Sequence, residues 1–242
     1  MHSSTNDKAM PALSATRYAP APRPSFSVRP ELWALVPILA ALNLHLVVPG
    51  VLPPLHFRAD LVAAGEWWRL LTHPFVHVSG WHLFLDGAAF LLLQAGLREP
   101  SLLRRLAFAA SSAAGALAAA VLLHEETAVL GYCGLSGAAH GLMAVSALEL
   151  ALGRAGGGLR RAGVILLAIV AVKSGIEAWT GECVFDFIHM GRMGVPVAIS
   201  HAGGLVGGLL AYLALARGTS GCAGARAPIT MSQVSCRGLH AP

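Results

Sequence analysis

The chain has 242 residues, of which 55% belong to the hydrophobic set and only 12% are charged, with a net charge of +5 and a mean hydropathy of +0.64. A water-soluble domain carries roughly 25% charged residues, so this composition argues against a soluble enzyme, a nucleic-acid-binding domain and a disordered protein alike. The apolar residues fall in blocks of about 17–22, the length of a helix across a bilayer core, and the chain reads as an integral membrane protein.

Residues 1–30 are rich in Pro, Ser and Ala, lack an apolar run, and read as a disordered cytoplasmic tail. No short apolar core precedes a small-residue cleavage site, so this tail is not expected to be a cleavable signal peptide. Six apolar blocks follow, at about Leu32–Val48, Trp81–Leu97, Leu106–Leu123, Leu135–Leu152, Leu159–Trp179 and Val195–Ala216. Pro37, Asn43 and His45 interrupt the first, Lys173 and Glu177 lie in the fifth, and the sixth is rich in glycine. Lipid offers the backbone no water to bond, so these blocks are expected as helices, with the glycines allowing close packing. The fold expected is all-α, a six-transmembrane-helix bundle over residues 31–217, followed by a flexible cytoplasmic tail at 218–242.

Positive charge orients the bundle. Thirteen Lys and Arg residues fall in the two tails and in the second and fourth loops, against Arg58, Arg69 and Arg192 on the opposite side. Cationic loops stay cytoplasmic, which places both termini inside the cell. The first outer loop, about residues 49–80, is long and aromatic, as suits a structure partly embedded at the interface. Of four cysteines, Cys133 and Cys183 fall in outer loops and Cys222 and Cys236 in the C-terminal tail. Cys133 and Cys183 could pair in an oxidising periplasm, but inert thiols are the plainer reading. No CxxC or Cys/His zinc spacing occurs, so neither a metal nor a cofactor is expected.

Ionisable groups inside spans are costly and mark functional candidates. Gly134-Leu135-Ser136-Gly137 with His140 opens the fourth span, His201 lies near the outer end of the sixth, and His82 and Asp86 lie at the outer end of the second. Ser136, His201 and His82 thus come from three helices at one depth. Each also has a structural reading: a small packing serine, an interfacial histidine, a member of an aromatic belt. Lys173 and Glu177, four apart, read as a pair on one helix face. The small-xxx-small steps Gly137/Gly141, Gly203/Gly207 and Gly204/Gly208 read as packing surfaces that would bring the fourth span onto the sixth.

A serine hydroxyl needs a base within hydrogen-bond reach to act as a nucleophile. A neutral imidazole can take its proton and return it to a leaving amine. Ser136 starts a helix, so unpaired backbone N–H groups could serve a developing oxyanion, with His82 as a further donor. No carboxylate is required for such a dyad to work.

The residues at these positions resemble a known family. Gly65-Glu66-Trp67-Trp68-Arg69-Leu70-Leu71-Thr72, Phe75-Val76-His77 and Gly80-Trp81-His82 are similar to the first loop and second-helix entry of rhomboid intramembrane serine proteases. Gly134–Gly137 resembles that family's GxSG motif, and His201-Ala202-Gly203-Gly204 with Gly207 and Gly208 its sixth-helix histidine motif. The resemblance spans about residues 32–216. It implies a multi-pass protein of the bacterial inner membrane that cleaves transmembrane segments of anchored proteins, with Ser136 as nucleophile and His201 as base. It also implies an oxyanion hole at His82 and Ser136. His140, four residues after the serine, is similar to the rhombosortase branch, which implies substrates with C-terminal GlyGly-type sorting tails. Lys173 and Glu177 also resemble that branch's fifth helix.

One position departs from the family's His-x-x-x-Asn: here it is His82-Leu83-Phe84-Leu85-Asp86. Asn can donate to an oxyanion, whereas an ionised Asp would repel it. Either a protonated Asp86 donates, or Asp86 holds His82 and leaves the hole to His82 and the Ser136 N–H. Two other functions compete with proteolysis: a non-proteolytic relative that binds or escorts membrane clients, and a transporter. The second would need inverted repeats and a charged mid-membrane path, and neither is visible in the sequence.

Overall fold

The computed structural model describes residues 29–48, 50, 55–153 and 156–220, with side chains to Leu215. The expected N-terminal tail, most of the C-terminal tail with Cys222 and Cys236, and Arg154 lie outside the described residues or side chains. Among the described residues the fold is helical, and its single β-type contact is an isolated antiparallel bridge between Phe57 and Tyr132.

Six longer helices lie where the six apolar blocks were expected. Helix α1 spans Pro30–Leu42, with Pro30 in its first turn, and runs on through Pro37. It stops six residues short of the expected Val48. The cause is Asn43, whose side-chain amide donates to Leu39 O at 2.8 Å and Phe75 O at 2.6 Å, while its Oδ1 accepts the His77 N–H at 2.8 Å. That clamp closes the helix and ties it to the first loop. The loop holds two short helices, α2 (Ala59–Ala63) and α3 (Arg69–Thr72), then a 3₁₀ turn at His73–Phe75. Arg69 is buried and stitches the loop, donating to Glu66 Oε2 at 2.7 Å and to His56 O at 2.8 Å. Its neighbours Trp67 and Trp68 are exposed, as an interfacial loop requires.

Helix α4 (Gly80–Gly96) begins at a Ser79 cap and α5 (Leu102–Leu123) at a Ser101 cap, each hydroxyl accepting a first-turn N–H. A short α6 (Thr127–Leu130) leads to α7 (Ser136–Leu152). Helix α8 runs over Gly157–Thr180 and ends at Gly181, whose φ of 77° is the left-handed close common at helix ends. Helix α9 runs over Ile199–Ser220. By length and composition α5 and α8 can each cross a membrane, and the bent pair formed by 69–75 and α4, folded through 95°, can form a third span. Helices α1, α7 and α9 are apolar but shorter in their described parts.

Helix α7 sits at the centre, packed on α4, α5, α8 and α9. Its interior residues are small or aliphatic, including Ala138, Leu142, Ala144, Val145 and Ala147. Glycine sets the spacing between helices. A Cβ on Gly204 would overlap the carbonyl of Gly137, one on Gly208 would meet the carbonyl of Gly141, and one on Gly203 would strike Gly115 and Ala119 of α5. The expected packing of the fourth helix on the sixth is therefore present, with α5 joining the same seam. At the far end from Ser136, Glu149 accepts the N–H groups of Arg98 and Glu99 at 2.6 and 2.8 Å, and buried Arg105 pairs with Glu31. The exposed faces instead carry Leu and Ile, such as Leu103, Leu122, Ile165 and Ile169. Apolar side chains outside and ion pairs within are the pattern of a protein solvated by lipid.

Candidate active site

Ser136 and His201 line one cavity of about 460 Å³, together with His45, His77, His82, Cys133 and Cys183. Ser136 is the first residue of α7. The chain reaches it through Gly134 at φ 106°, where a Cβ would be strained and would press within 3.1 Å of Asp86 and His82. The GxSG glycine thus sets the backbone that presents the serine. His201 stands in the first turn of α9, fixed by the glycine seam directly below it. Among the described residues no hydrogen bond joins the Ser136 hydroxyl to His201. Contacts of this kind often tighten only around substrate.

The structure brings the Ser136 N–H and His82, the two donors expected from the sequence, to one carboxylate oxygen. Asp86 Oδ2 accepts the Ser136 N–H at 3.1 Å and lies 3.1 Å from His82 Nε2. The same oxygen is 3.7 Å from His77 Nε2, and the His77 and His82 rings meet edge to face at 5.0 Å. The Ser136 N–H expected to be available is therefore bonded, and the carboxylate oxygen occupies the space between the two expected donors. Asp86 also caps the N-terminus of α7, which has no cap from its own side chains.

The sequence reading paired Lys173 with Glu177 on one helix face and likened both to the rhombosortase branch's fifth helix. They do pair, at 2.6 Å, but Glu177 does more. Its Oε2 accepts from His201 Nδ1 at 2.8 Å, while Oε1 takes both Lys173 and the Val184 N–H at 3.0 Å. Lys173 Nζ also donates to His140 Nε2 at 2.9 Å, and His140 Nδ1 donates to Ser136 O at 2.8 Å. The His140 ring stacks on His201, with centroids 4.0 Å apart and planes 13° from parallel. Glu177 lies in the last turn of α8, and its local pairing with Lys173 hid this reach to another helix from the sequence. His140, Glu177 and His201 offer ligand atoms within 4.8 Å of one another, a spacing a metal ion could bridge. The Lys173 ammonium, bonded to two of the three, already supplies positive charge there.

Cys133 and Cys183, considered as a disulfide, are both free thiols. Burial pushes the Cys133 thiol up to about 12 and the Cys183 thiol up to about 11. Both are thus protonated and poorly nucleophilic at neutral pH, which leaves the serine as the candidate nucleophile of this cavity.

Neither a curated protein nor a solved structure gives a significant match to the chain. The family model of the rhomboid domain matches residues 64–218, from the first loop through Ser136 and His201 to the end of the last helix, and the chain belongs to the rhomboid family.

Proposed function

We propose that this chain is an intramembrane serine protease in which Ser136 attacks and His201 serves as base. The rhomboid family is known for such enzymes, acting on transmembrane substrates in the bilayer. The observation that carries the reading is the shared cavity: a helix-starting serine and a histidine from another helix line one hollow, with the histidine's Nδ1 already bonded to an acceptor. A histidine that donates through Nδ1 keeps its Nε2 lone pair for a serine proton. In the reaction Ser136 Oγ bonds to the substrate carbonyl carbon while its proton passes to His201 Nε2. The C–N bond then breaks as the imidazolium gives that proton to the leaving amine. Water, deprotonated by the same imidazole, hydrolyses the acyl ester and frees Ser136. The developing oxyanion is stabilised by the Ser136 N–H and His82 once Asp86 withdraws.

The finer reading is a six-span protein of the bacterial inner membrane with both termini cytoplasmic, supported by the distribution of Lys and Arg along the chain. His140, together with Lys173 and Glu177, supports the rhombosortase branch, with GlyGly-type sorting tails as substrates. The second reading, a relative that binds or escorts clients without cutting them, has one observation in its favour: Asp86 fills the expected oxyanion site.

Co-expression with a secreted protein ending in Gly-Gly, an apolar stretch and basic residues tests both. Wild type is expected to shorten the substrate, and Ser136→Ala and His201→Ala to leave it intact. Substrate that co-purifies uncut with wild type favours the escort reading. Cleavage that survives Ser136→Ala removes the proposed nucleophile.

A further inference from the structure

We propose that Glu177 is the positioning residue for His201, making the dyad a Ser136–His201–Glu177 triad, with Lys173 and His140 as its support. This rests on the protease reading above. The geometry assigns every proton. His140 donates through Nδ1 to the Ser136 carbonyl, so its Nε2 is a lone pair, and Lys173 donates into it. Lys173 also donates to Glu177 Oε1, where the Val184 N–H arrives from the following loop. Two obligatory donors therefore claim Oε1, and Oε2 is left to accept from His201 Nδ1. That bond keeps the His201 proton on Nδ1, its Nε2 free to accept, and its ring plane fixed. Stacking on the neutral His140 ring limits rotation further.

Glu177 is fully buried, and an unpartnered carboxylate in that position would be costly. All of its partners serve to hold one oxygen against one imidazole nitrogen. Because Lys173 neutralises the carboxylate, its main effect on His201 is orientation and choice of tautomer, with a smaller share from charge.

The arrangement makes Glu177→Gln informative. Lys173 and the Val184 N–H would draw the amide oxygen to the Oε1 position and turn the NH₂ toward His201. An NH₂ there demands a lone pair at Nδ1 and pushes the proton to Nε2, where it blocks acceptance from Ser136. The test uses the purified full chain in proteoliposomes with a cleavable transmembrane substrate, comparing wild type, Glu177→Gln, Glu177→Asp and Ser136→Ala. Rates are scaled to folded protein from size-exclusion chromatography. Glu177→Gln is expected to lower kcat by about 10²–10³-fold with KM within about threefold. The roughly 10⁴ lost when a serine-protease triad Asp becomes Asn arises from the wrong tautomer. The loss here is set lower because the share that carboxylate charge would add is already muted by Lys173. Glu177→Asp, which keeps an acceptor, is expected to recover at least about tenfold of that loss. If Glu177→Gln retains wild-type kcat, or if Asp and Gln lose kcat equally, the triad is overturned. Ser136→Ala separates the two levels: an inactive Ser136→Ala beside a fully active Glu177→Gln removes only the triad, whereas an active Ser136→Ala removes the protease reading beneath it.

Discussion

Asp86 Oδ2 lies 3.1 Å from both the Ser136 nitrogen and His82 Nε2, the separation at which donors hold an oxyanion. A carboxylate there resembles the charge that the site is proposed to stabilise, and substrate must displace it. Asp86→Asn keeps the shape, removes the negative charge and leaves an NH₂ able to donate. Proteolysis by Asp86→Asn is therefore expected to equal wild type or exceed it by up to about tenfold, measured as initial cleavage rate at matched folded protein. The loss of a charged cap on α7 costs only about 0.5–1 kcal/mol of stability. Complete loss of cleavage would show that the carboxyl itself is required. That Ser136, His201 and His82 would come together was legible in the sequence because polar groups in apolar blocks stand out, and the three do line one cavity. Glu177 was not, because Lys173 four residues earlier gives its charge a sufficient local partner. Only the three-dimensional structure reveals that its second oxygen reaches another helix.

At the scale of elements, hydrophobic blocks located the helices, and boundaries failed where a side chain rather than composition ended the run. Asn43 is the clear case: nothing apolar changes after it, yet its side chain bonds back to Leu39 of α1 and makes two hydrogen bonds into the first loop, which end the helix. The glycine steps were legible as packing surfaces, and their partners follow from the contacts of α9 with both α5 and α7. Position 204 shows what the seam does. An added methyl there meets the Gly137 backbone carbonyl, which cannot rotate away, one residue from Ser136. Gly204→Ala is expected to cost about 1–3 kcal/mol through overpacking, and to displace His201, three residues earlier on α9, from the cavity. Thermal unfolding in detergent should fall, and cleavage should fall further than the folded fraction explains. Gly175→Ala on α8 is the control, since its Cβ meets nothing within 4 Å; there alanine's better helix propensity leaves stability unchanged or slightly raised. Equal behaviour of the two variants would deny the seam its role in placing the site.

For the whole molecule, the proposed activity requires a membrane-embedded substrate to reach a serine at the start of the central helix. Helix α7 is enclosed by packed neighbours, but α4 and α8 flank the site without packing closely on one another. What bridges them is the segment between α8 and α9, held to the start of α4 by two hydrogen bonds: Trp81 Nε1 donates to Ile188 O at 2.9 Å, and Ser79 Oγ to Arg192 O at 2.6 Å. Two such bonds contribute about 1–3 kcal/mol in total. Parting the glycine seam would instead break backbone-close contacts along several turns of α7 and α9. Access is therefore expected at α4 and the 181–198 segment, with that segment acting as a lid. A reversible tether tests this through the pair Ser79→Cys and Arg192→Cys, since the Ser79 side chain already meets the Arg192 backbone. Cys133 and Cys183, with thiols raised to about 12 and 11 by burial, compete poorly for oxidation. Cleavage of a transmembrane substrate in proteoliposomes should drop at least about tenfold on oxidation and return on reduction. Each single-cysteine variant should stay unaffected by the same treatment. A fully cross-linked protein that cleaves at the reduced rate would place the entrance elsewhere on the bundle.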